Sequence, residues 1–182
     1  MRTLHRIARL TGVLALAHAA GVGASSAGST KVIAGWLEKV QVSVAADHPV
    51  TAKLDSGALT SSIHALDIEP FRKDGEPWVR FDLVLGGKKE NPLVIRTERP
   101  VTRHVRIKEH DGNHNRRPVV DLEFCFAGHH YSTQFSLVDR SQFNYSILLG
   151  RRFLAGTALI DSGSTFITKP DCTDSSTEAP AS

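Results

Sequence analysis

The chain has 182 residues, of which 41% are hydrophobic and 23% are charged, and it contains two cysteines. These values are typical of one folded domain and exclude a disordered chain, a disulfide-stapled mini-protein and a coiled coil. The net charge of +3 comes from Arg2, Arg6 and Arg9, since removing them leaves 19 basic against 19 acidic residues. A chain balanced in charge has no overall field to attract phosphates, so we expect no nucleic-acid partner.

The first 30 residues have the three-part pattern of a secretory signal peptide. A basic start is followed by the apolar run Leu10–Ala17 and then by small residues. The run is shorter than the roughly 20 residues that a membrane-spanning helix needs. We therefore predict a signal peptide over residues 1–27, a secreted or periplasmic product, and no stable membrane anchor after cleavage. Ala19, Ala24 and Ala27 each end a small-x-small triplet, so the cleavage site stays open.

From Val32 onward, short runs of β-branched and aromatic residues alternate with Gly, Pro, Asp and Asn. This pattern predicts a compact all-β domain of barrel or sandwich type over residues 28–168, with one short helix from Gly150 to Ala155. Residues 169–182 are rich in Ser, Thr, Asp and Pro and are predicted to form a flexible polar tail. The predicted strands are Val32–Val44, Val50–Leu54, Trp78–Leu85, Pro92–Thr97, Val101–Lys108, Val119–Phe126, Tyr131–Val138 and Ile147–Leu149.

The two cysteines have different surroundings. Cys125 alternates with Phe124 and Phe126, as a buried thiol in a strand does, whereas Cys172 lies in the polar tail. An exported protein meets an oxidising compartment in which the two could pair. The sequence leaves the disulfide open.

The sharpest local feature is Asp55-Ser56-Gly57, which directly follows a predicted strand. A glycine at such a turn lets backbone N–H groups approach the carboxylate, and a neighbouring hydroxyl can fix its plane. The same tripeptide also occurs in ordinary turns. The surrounding sequence is needed to distinguish the two.

A second element, Leu148-Leu149-Gly150-Arg151, follows about a hundred residues downstream. The pair resembles the retropepsin aspartic proteases, in which the second element packs beneath the catalytic loop. The match is closer to a bacterial family of retropepsin-like aspartic endopeptidases often labelled ATP-dependent zinc proteases. Its blocks correspond in order to Ala52–Ala65, Arg117–Val120, Val138–Arg140 and Leu148–Leu154. The resemblance spans about residues 32–168 and implies a closed barrel with one short C-terminal helix and one catalytic Asp loop per chain.

The resemblance also implies roles for individual residues, with Asp55 as the catalytic carboxylate. Ser56 replaces the commoner Thr and keeps its hydroxyl, and Ser62 stands where a small apolar residue is usual. Ser56, Gly57, Ala58 and Thr60 are expected to support the catalytic loop, and Leu149, Gly150 and Arg151 to pack beneath it.

One catalytic carboxylate per chain implies a homodimer. Aspartic proteolysis needs two carboxyl groups that share a proton, so that one activates water while the other polarises the scissile carbonyl. Two copies of Asp55 related by a twofold axis meet this requirement. The expected activity is the hydrolysis of peptide or polypeptide substrates by an exported aspartic endopeptidase. The alternative is a non-catalytic peptide-binding or assembly module of the cell envelope with the same fold.

Other chemistries have weaker sequence support. Asp161-Ser162-Gly163 suggests a two-lobed protease, but only 21 residues follow Asp161, too few for a second core. The chain has no His-Glu-x-x-His, no Cys-x-x-Cys and no phosphate-binding Gly-x-x-x-x-Gly-Lys, so we expect neither a metal nor a nucleotide cofactor. It also lacks Gly-x-Ser-x-Gly, and His64 is expected to pack or orient the catalytic loop rather than to act as a base.

A retropepsin also needs a flap over its substrate. The candidate is the hairpin-like stretch Val101–Val120, whose tip contains His110, Asp111, Gly112 and Asn113. A solvated surface loop is the alternative interpretation. Residues 85–117 carry nine Lys and Arg against four Asp and Glu, which either favours acidic peptides or forms a solvated face.

Overall fold

A computed structural model describes residues 30–87, 91–108 and 114–172 of the chain. The predicted signal peptide, the flap tip His110–Asn113 and residues 173–182 lie outside the described residues. Within the described part, none of the helices has the length and apolar character needed to cross a membrane.

The described chain consists of strands with one short α-helix and a three-residue 3₁₀ helix, Ser43–Ala45, which confirms the predicted all-β class. The strands alternate buried and exposed side chains, as in Val50–Asp55, because successive residues of a strand point to opposite faces. The elements are β1 Val32–Val42, β2 Val50–Asp55, β3 Ser61–Lys73, β4 Glu76–Leu85, β5 Leu93–Pro100, β6 Arg103–Lys108, β7 His114–Phe126, β8 His129–Val138, β9 Ile147–Gly150, α1 Arg151–Thr157 and β10 Ala158–Thr165.

Six of the described strands close into a barrel in the order β1, β2, β9, β3, β8 and β7. The closing pairing between β7 and β1 joins Val40 to Phe126. Fully buried aromatic and aliphatic side chains fill the interior, and α1 packs against it through Phe153, whose ring centroid lies 5.2 Å from that of Phe124. The closed barrel implied by the resemblance is therefore confirmed. Closure also pairs strand edges that would otherwise be exposed.

The sequence analysis missed strand β3 and strand β10. β3 contains Asp67, Glu69 and Pro70, which are poor strand formers. Its first residues pair inside the barrel, and a register irregularity between Leu66 and Glu69 turns the rest outward. That outer half forms a hairpin with β4, and β5 extends it into a layer beside the barrel.

Strand β10 contains the second Asp-Ser-Gly, for which the sequence suggested only a second catalytic motif. It instead runs parallel to β1, with Asp161 opposite Gly35. Gly35 cannot be replaced by a larger residue here, because an added Cβ would lie 2.5 Å from the Ser164 carbonyl oxygen. The pairing of β10 thus depends on close backbone approach, which explains why side-chain alternation did not predict this strand.

The buried carboxylate of Glu38 fastens the C-terminal segment to the barrel. Its side chain is 0% exposed and accepts hydrogen bonds from three backbone N–H groups, those of Gly35, Ile167 and Thr168, at 2.6 to 3.1 Å. The Thr168 hydroxyl donates a fourth at 2.9 Å. A disulfide between Cys125 and Cys172, left open by the sequence, ties the same segment to β7.

Glu38→Gln is expected to lower the free energy of unfolding by about 2 to 3 kcal/mol, because an amide NH₂ would face backbone donors that a carboxylate now satisfies. Urea unfolding of the oxidised protein measures this. Glu123→Gln, at an exposed position on β7, is the control and should change stability little. Equal effects of the two substitutions would contradict the fastening role of Glu38.

Candidate active site

Strand β2 ends at Asp55, on the face of the strand that points away from the barrel core. Val50, Ala52 and Leu54 point into the core, so Lys53 and Asp55 share the opposite face. β2 lies between β1 and β9 in the sheet, and Asp55 is level with Gly150 of β9. The position of the carboxylate is therefore fixed by pairing on both sides of its strand.

The turn after β2 holds one carboxylate oxygen. The Gly57 N–H donates to Asp55 Oδ1 at 2.9 Å, and the Ala58 N–H donates to the Asp55 carbonyl oxygen at 3.3 Å. Ser56 contributes through its carbonyl oxygen, which accepts from the Arg151 guanidinium at 2.9 Å. The predicted loop residues thus lie together around Asp55.

The other carboxylate oxygen is held by a residue that the sequence analysis missed. Lys53 Nζ lies 3.1 Å from Asp55 Oδ2, a distance that makes an ion pair and a hydrogen bond. The sequence could have predicted this contact, since Lys53 and Asp55 are two residues apart on a strand and therefore lie on one face. The two side chains are 40% and 24% exposed, so water still reaches the pair.

Helix α1 supports the loop through its first turn. A helix begins with backbone N–H groups that have no partner within the helix. Here the Arg151 N–H donates to the Ala58 carbonyl at 2.8 Å and the Arg152 N–H to the Leu59 carbonyl at 3.1 Å. The Arg151 side chain also reaches the Gly57 carbonyl at 3.1 Å. Arg151 therefore binds three successive loop carbonyls.

Gly150 and Leu149 lie directly beneath the loop, where the resemblance placed them. Leu149 is fully buried and pairs with Leu54 of β2. The Gly150 N–H donates to the Ser61 hydroxyl at 3.0 Å. A Cβ on Gly150 would lie 2.8 Å from the Thr60 carbonyl carbon, so this position accepts only glycine without backbone movement.

The electrostatics of the loop favour an ionised Asp55. Partial burial acts to raise the pKa of Asp55, but hydrogen bonds from Lys53 and the Gly57 N–H, together with the Lys53 charge, outweigh it. The pKa of Asp55 is therefore lowered from its ordinary value. In the isolated chain the carboxylate is set to remain charged.

A buried cation, Arg140, lies behind the loop. Arg140 donates to the Ser62 hydroxyl at 2.8 Å and to the Tyr145 carbonyl at 3.0 Å. Burial, reinforced by Arg117, lowers the pKa of Arg140 to about 10, while Asp55 acts in the opposite direction. The structural importance of this arginine was also missed by the sequence analysis, although it ends one of the family blocks.

His64 belongs to this supporting layer. Its imidazole Nδ1 accepts from the Arg140 backbone N–H at 3.0 Å, and the backbone N–H of His64 donates to the Ser146 carbonyl at 2.8 Å. Burial lowers the pKa of His64, although Asp139, with Oδ1 3.8 Å from Nδ1, acts to raise it. A neutral imidazole that accepts a backbone hydrogen bond has a packing role in this arrangement.

A basic groove adjoins the Asp55 loop. It has a volume of about 480 Å³ and lies between the loop residues Ala58 to Thr60 and strand β6. Arg103 crosses from β6 to the loop, donating to the Thr60 hydroxyl at 3.4 Å. Among the described residues, acidic side chains are absent from its lining, whereas four guanidinium groups line it, those of Arg103, Arg106, Arg117 and Arg152.

The second Asp-Ser-Gly has the same local turn but a different setting. Asp161 Oδ1 accepts from the Gly163 N–H at 2.9 Å and Oδ2 from the Ser164 hydroxyl at 2.7 Å. These two hydrogen bonds lower the pKa of Asp161. The residue is exposed on β10 and has no lysine partner of the kind that Asp55 has, within the described chain.

The described residues include no group of three or more His, Cys, Asp and Glu side chains arranged to hold a metal ion. The Asp55 carboxylate is bound by Lys53 and the Gly57 N–H, and the Glu38 carboxylate by backbone N–H groups and the Thr168 hydroxyl.

Comparison with solved structures and known proteins agrees with this geometry. A Legionella pneumophila protein of unknown function, Lpg0085, aligns over 77% of this chain and 100% of its own, with a TM-score of 0.61 and 29% identity. Two curated relatives, each named "Probable alpha-L-glutamate ligase", come from Shewanella halifaxensis and Desulfotalea psychrophila. Both are 35% identical, over 119 and 112 residues, or 64% and 62% of this chain. The chain spans only about a quarter of the length of these relatives, 25% and 24%.

A family model described as "Retropepsin-like aspartic endopeptidase RimB" matches residues 33–171. This range contains the barrel, the Asp55 loop and the α1 support beneath it. The chain therefore belongs to the RimB-like family of retropepsin-like aspartic endopeptidases.

Proposed function

We propose that the protein is an exported aspartic endopeptidase whose active site forms when two chains bring their Asp55 carboxylates together. The observation that carries this proposal is the geometry of the Asp55 loop. One carboxylate oxygen is fixed by the Gly57 N–H, and the loop is braced from below by Gly150 and Arg151. This rigidity meets the need of a catalytic group for a fixed position.

The chemistry follows from two such carboxylates sharing one proton. The ionised Asp55 removes a proton from water, and the resulting hydroxide adds to the scissile carbonyl. The protonated Asp55 of the partner subunit donates to the carbonyl oxygen, which gives a neutral tetrahedral diol. The first Asp55 then gives the proton it took from water to the leaving nitrogen as the C–N bond breaks, and a diol hydroxyl returns a proton to the partner's Asp55, which restores the shared proton. Neither step requires a metal or a nucleotide.

An exposed apolar pair supports a dimer. Ile33 and Leu159 are 65% and 56% exposed and lie opposite one another in the β1 and β10 register. β10 pairs only with β1 among the described strands, so its other edge is open to a second chain. Only the seven-residue helix α1 separates β10 from Gly150, which places this edge close to the catalytic loop in the chain.

The arginine-lined groove favours acidic peptides as substrates. Guanidinium groups form bidentate hydrogen bonds with carboxylates, and a groove of this size can take a few residues. The curated relatives named "Probable alpha-L-glutamate ligase" support the same substrate class, because glutamate, to which that name refers, carries a side-chain carboxylate. We therefore propose glutamate-containing peptides as the substrate class.

The test is cleavage of matched synthetic peptides, one rich in glutamate and one with glutamine at the same positions. We expect cleavage of the glutamate peptide to be favoured, and Arg106→Gln to reduce that preference by about tenfold, through KM, because a hydrogen bond to a charged group contributes about 1.5 kcal/mol. Arg80→Gln, in an ion pair with Glu98 on the β4 and β5 layer, is the control. An unchanged preference in Arg106→Gln would show that the groove does not select glutamate-containing peptides.

A further inference from the structure

The Lys53 and Asp55 ion pair is unusual for a centre that works by sharing a proton. An aspartic dyad is active while one of its two carboxyl groups is protonated. A cation 3.1 Å from Asp55 Oδ2 opposes that protonation. Lys53 therefore acts directly on the protonation of Asp55, which determines whether the dyad is in its active state.

We propose that Lys53 is a positioning residue that sets the pH range of the catalytic centre and orients the Asp55 carboxylate, an inference that rests on the proposed aspartic mechanism. With Gly57 on Oδ1 and Lys53 on Oδ2, both oxygens have a fixed donor. Rotation of the carboxylate would break both hydrogen bonds, so its plane is defined before substrate binds.

The charged groups around Asp55 come from three places in the chain. Lys53 on β2 contacts the carboxylate itself, and Arg140, after β8, acts on it through charge. Arg151 on α1 is occupied with the Ser56 and Gly57 carbonyls, so it braces the loop instead. Lys53 is thus the cation whose removal changes the charge at Asp55 most directly.

Removing Lys53 is expected to move the pH profile of peptide cleavage upward. Without the cation, both protonation steps of the dyad occur at higher pH, so the acidic and alkaline limbs of the profile shift together by about one pH unit. Lys53→Met keeps much of the side-chain length and removes the charge. Lys53→Arg keeps the charge and is expected to retain the wild-type profile, and Lys169→Met, at an exposed position after β10, is the charge control.

Carbon-13 NMR titration of the Asp carboxyl groups measures the same effect without any substrate, with the Asp55 signal assigned by its loss in Asp55→Asn. We expect the Asp55 pKa to rise by about one unit in Lys53→Met and to stay near the wild-type value in Lys53→Arg and Lys169→Met. An Asp55 pKa that does not move in folded Lys53→Met would overturn the inference. If the pKa rises but neither the wild type nor any variant cleaves peptides at any pH, the electrostatic effect of Lys53 on Asp55 stands, while the proposed protease activity fails.

Discussion

Replacing Asp55 with Asn is expected to reduce peptide hydrolysis by about 10³-fold or more, because the neutral amide can neither accept a proton from water nor share one with a partner. The fold should be retained, since the Asn oxygen can still accept from the Gly57 N–H. Initial rates on a glutamate-containing peptide, together with thermal unfolding of each variant, measure both expectations.

The matched control is Asp161→Asn. Asp161 lies in the same tripeptide and accepts a backbone hydrogen bond of the same length, 2.9 Å, from the glycine two residues on. It is exposed, and its carboxylate is held by Gly163 and Ser164 of β10 instead of by a lysine. Because β10 carries the edge proposed for the dimer, size-exclusion chromatography checks that this variant keeps the wild-type oligomeric state. Hydrolysis should therefore persist in Asp161→Asn. Equal losses in the two variants, or an active Asp55→Asn protein, would contradict the assignment of the catalytic carboxylate.

Gly150→Ala is expected to reduce both activity and stability, because its Cβ would lie 2.8 Å from the Thr60 carbonyl carbon and 3.0 Å from the Ser61 nitrogen. Both atoms belong to the backbone, so the catalytic loop itself must move. We expect a loss of about 1 to 3 kcal/mol in the free energy of unfolding, which is typical of overpacking, and a clear fall in kcat.

Gly156→Ala provides the comparison. It lies in helix α1, and an added Cβ there meets no atom within 4 Å. Alanine is the better helix former, so this variant should be as stable as the wild type or slightly more so. If Gly150→Ala behaves like Gly156→Ala in urea unfolding and in peptide cleavage, the catalytic loop does not depend on the close approach of β9.

The sequence predicted the parts of the fold that follow from local pattern. Alternation marked β2 and β8, and the glycine after a buried strand marked the start of α1. The outer half of β3 was missed because Asp67, Glu69 and Pro70 argue against a strand, and pairing with β4 overrides that preference. β10 was missed because its pairing depends on the close approach of Gly35, which no periodicity shows.

The residues of the candidate site are likewise of two kinds, those that a local motif identifies and those that only the fold brings together. Asp55, Gly57 and Gly150 could be identified because their motifs are contiguous in sequence. Arg140 lies 78 residues from its hydrogen-bonding partner Ser62, and only the closed barrel brings them together. The pairing of Cys125 with Cys172 could not be decided for the same reason, since the sequence does not show the C-terminal segment returning along β1 to the end of β7.

The activity of mixed dimers is the most direct test of a catalytic centre formed by one Asp55 from each of two chains. Wild-type and Asp55→Asn chains, carrying different affinity tags, are unfolded together, refolded at a series of ratios, and assayed at constant total protein. If the catalytic centre needs one Asp55 from each of two chains, activity falls with the square of the wild-type fraction, and purified mixed dimers are inactive. Activity that falls in direct proportion to the wild-type fraction would show that each chain works alone and would contradict the shared dyad.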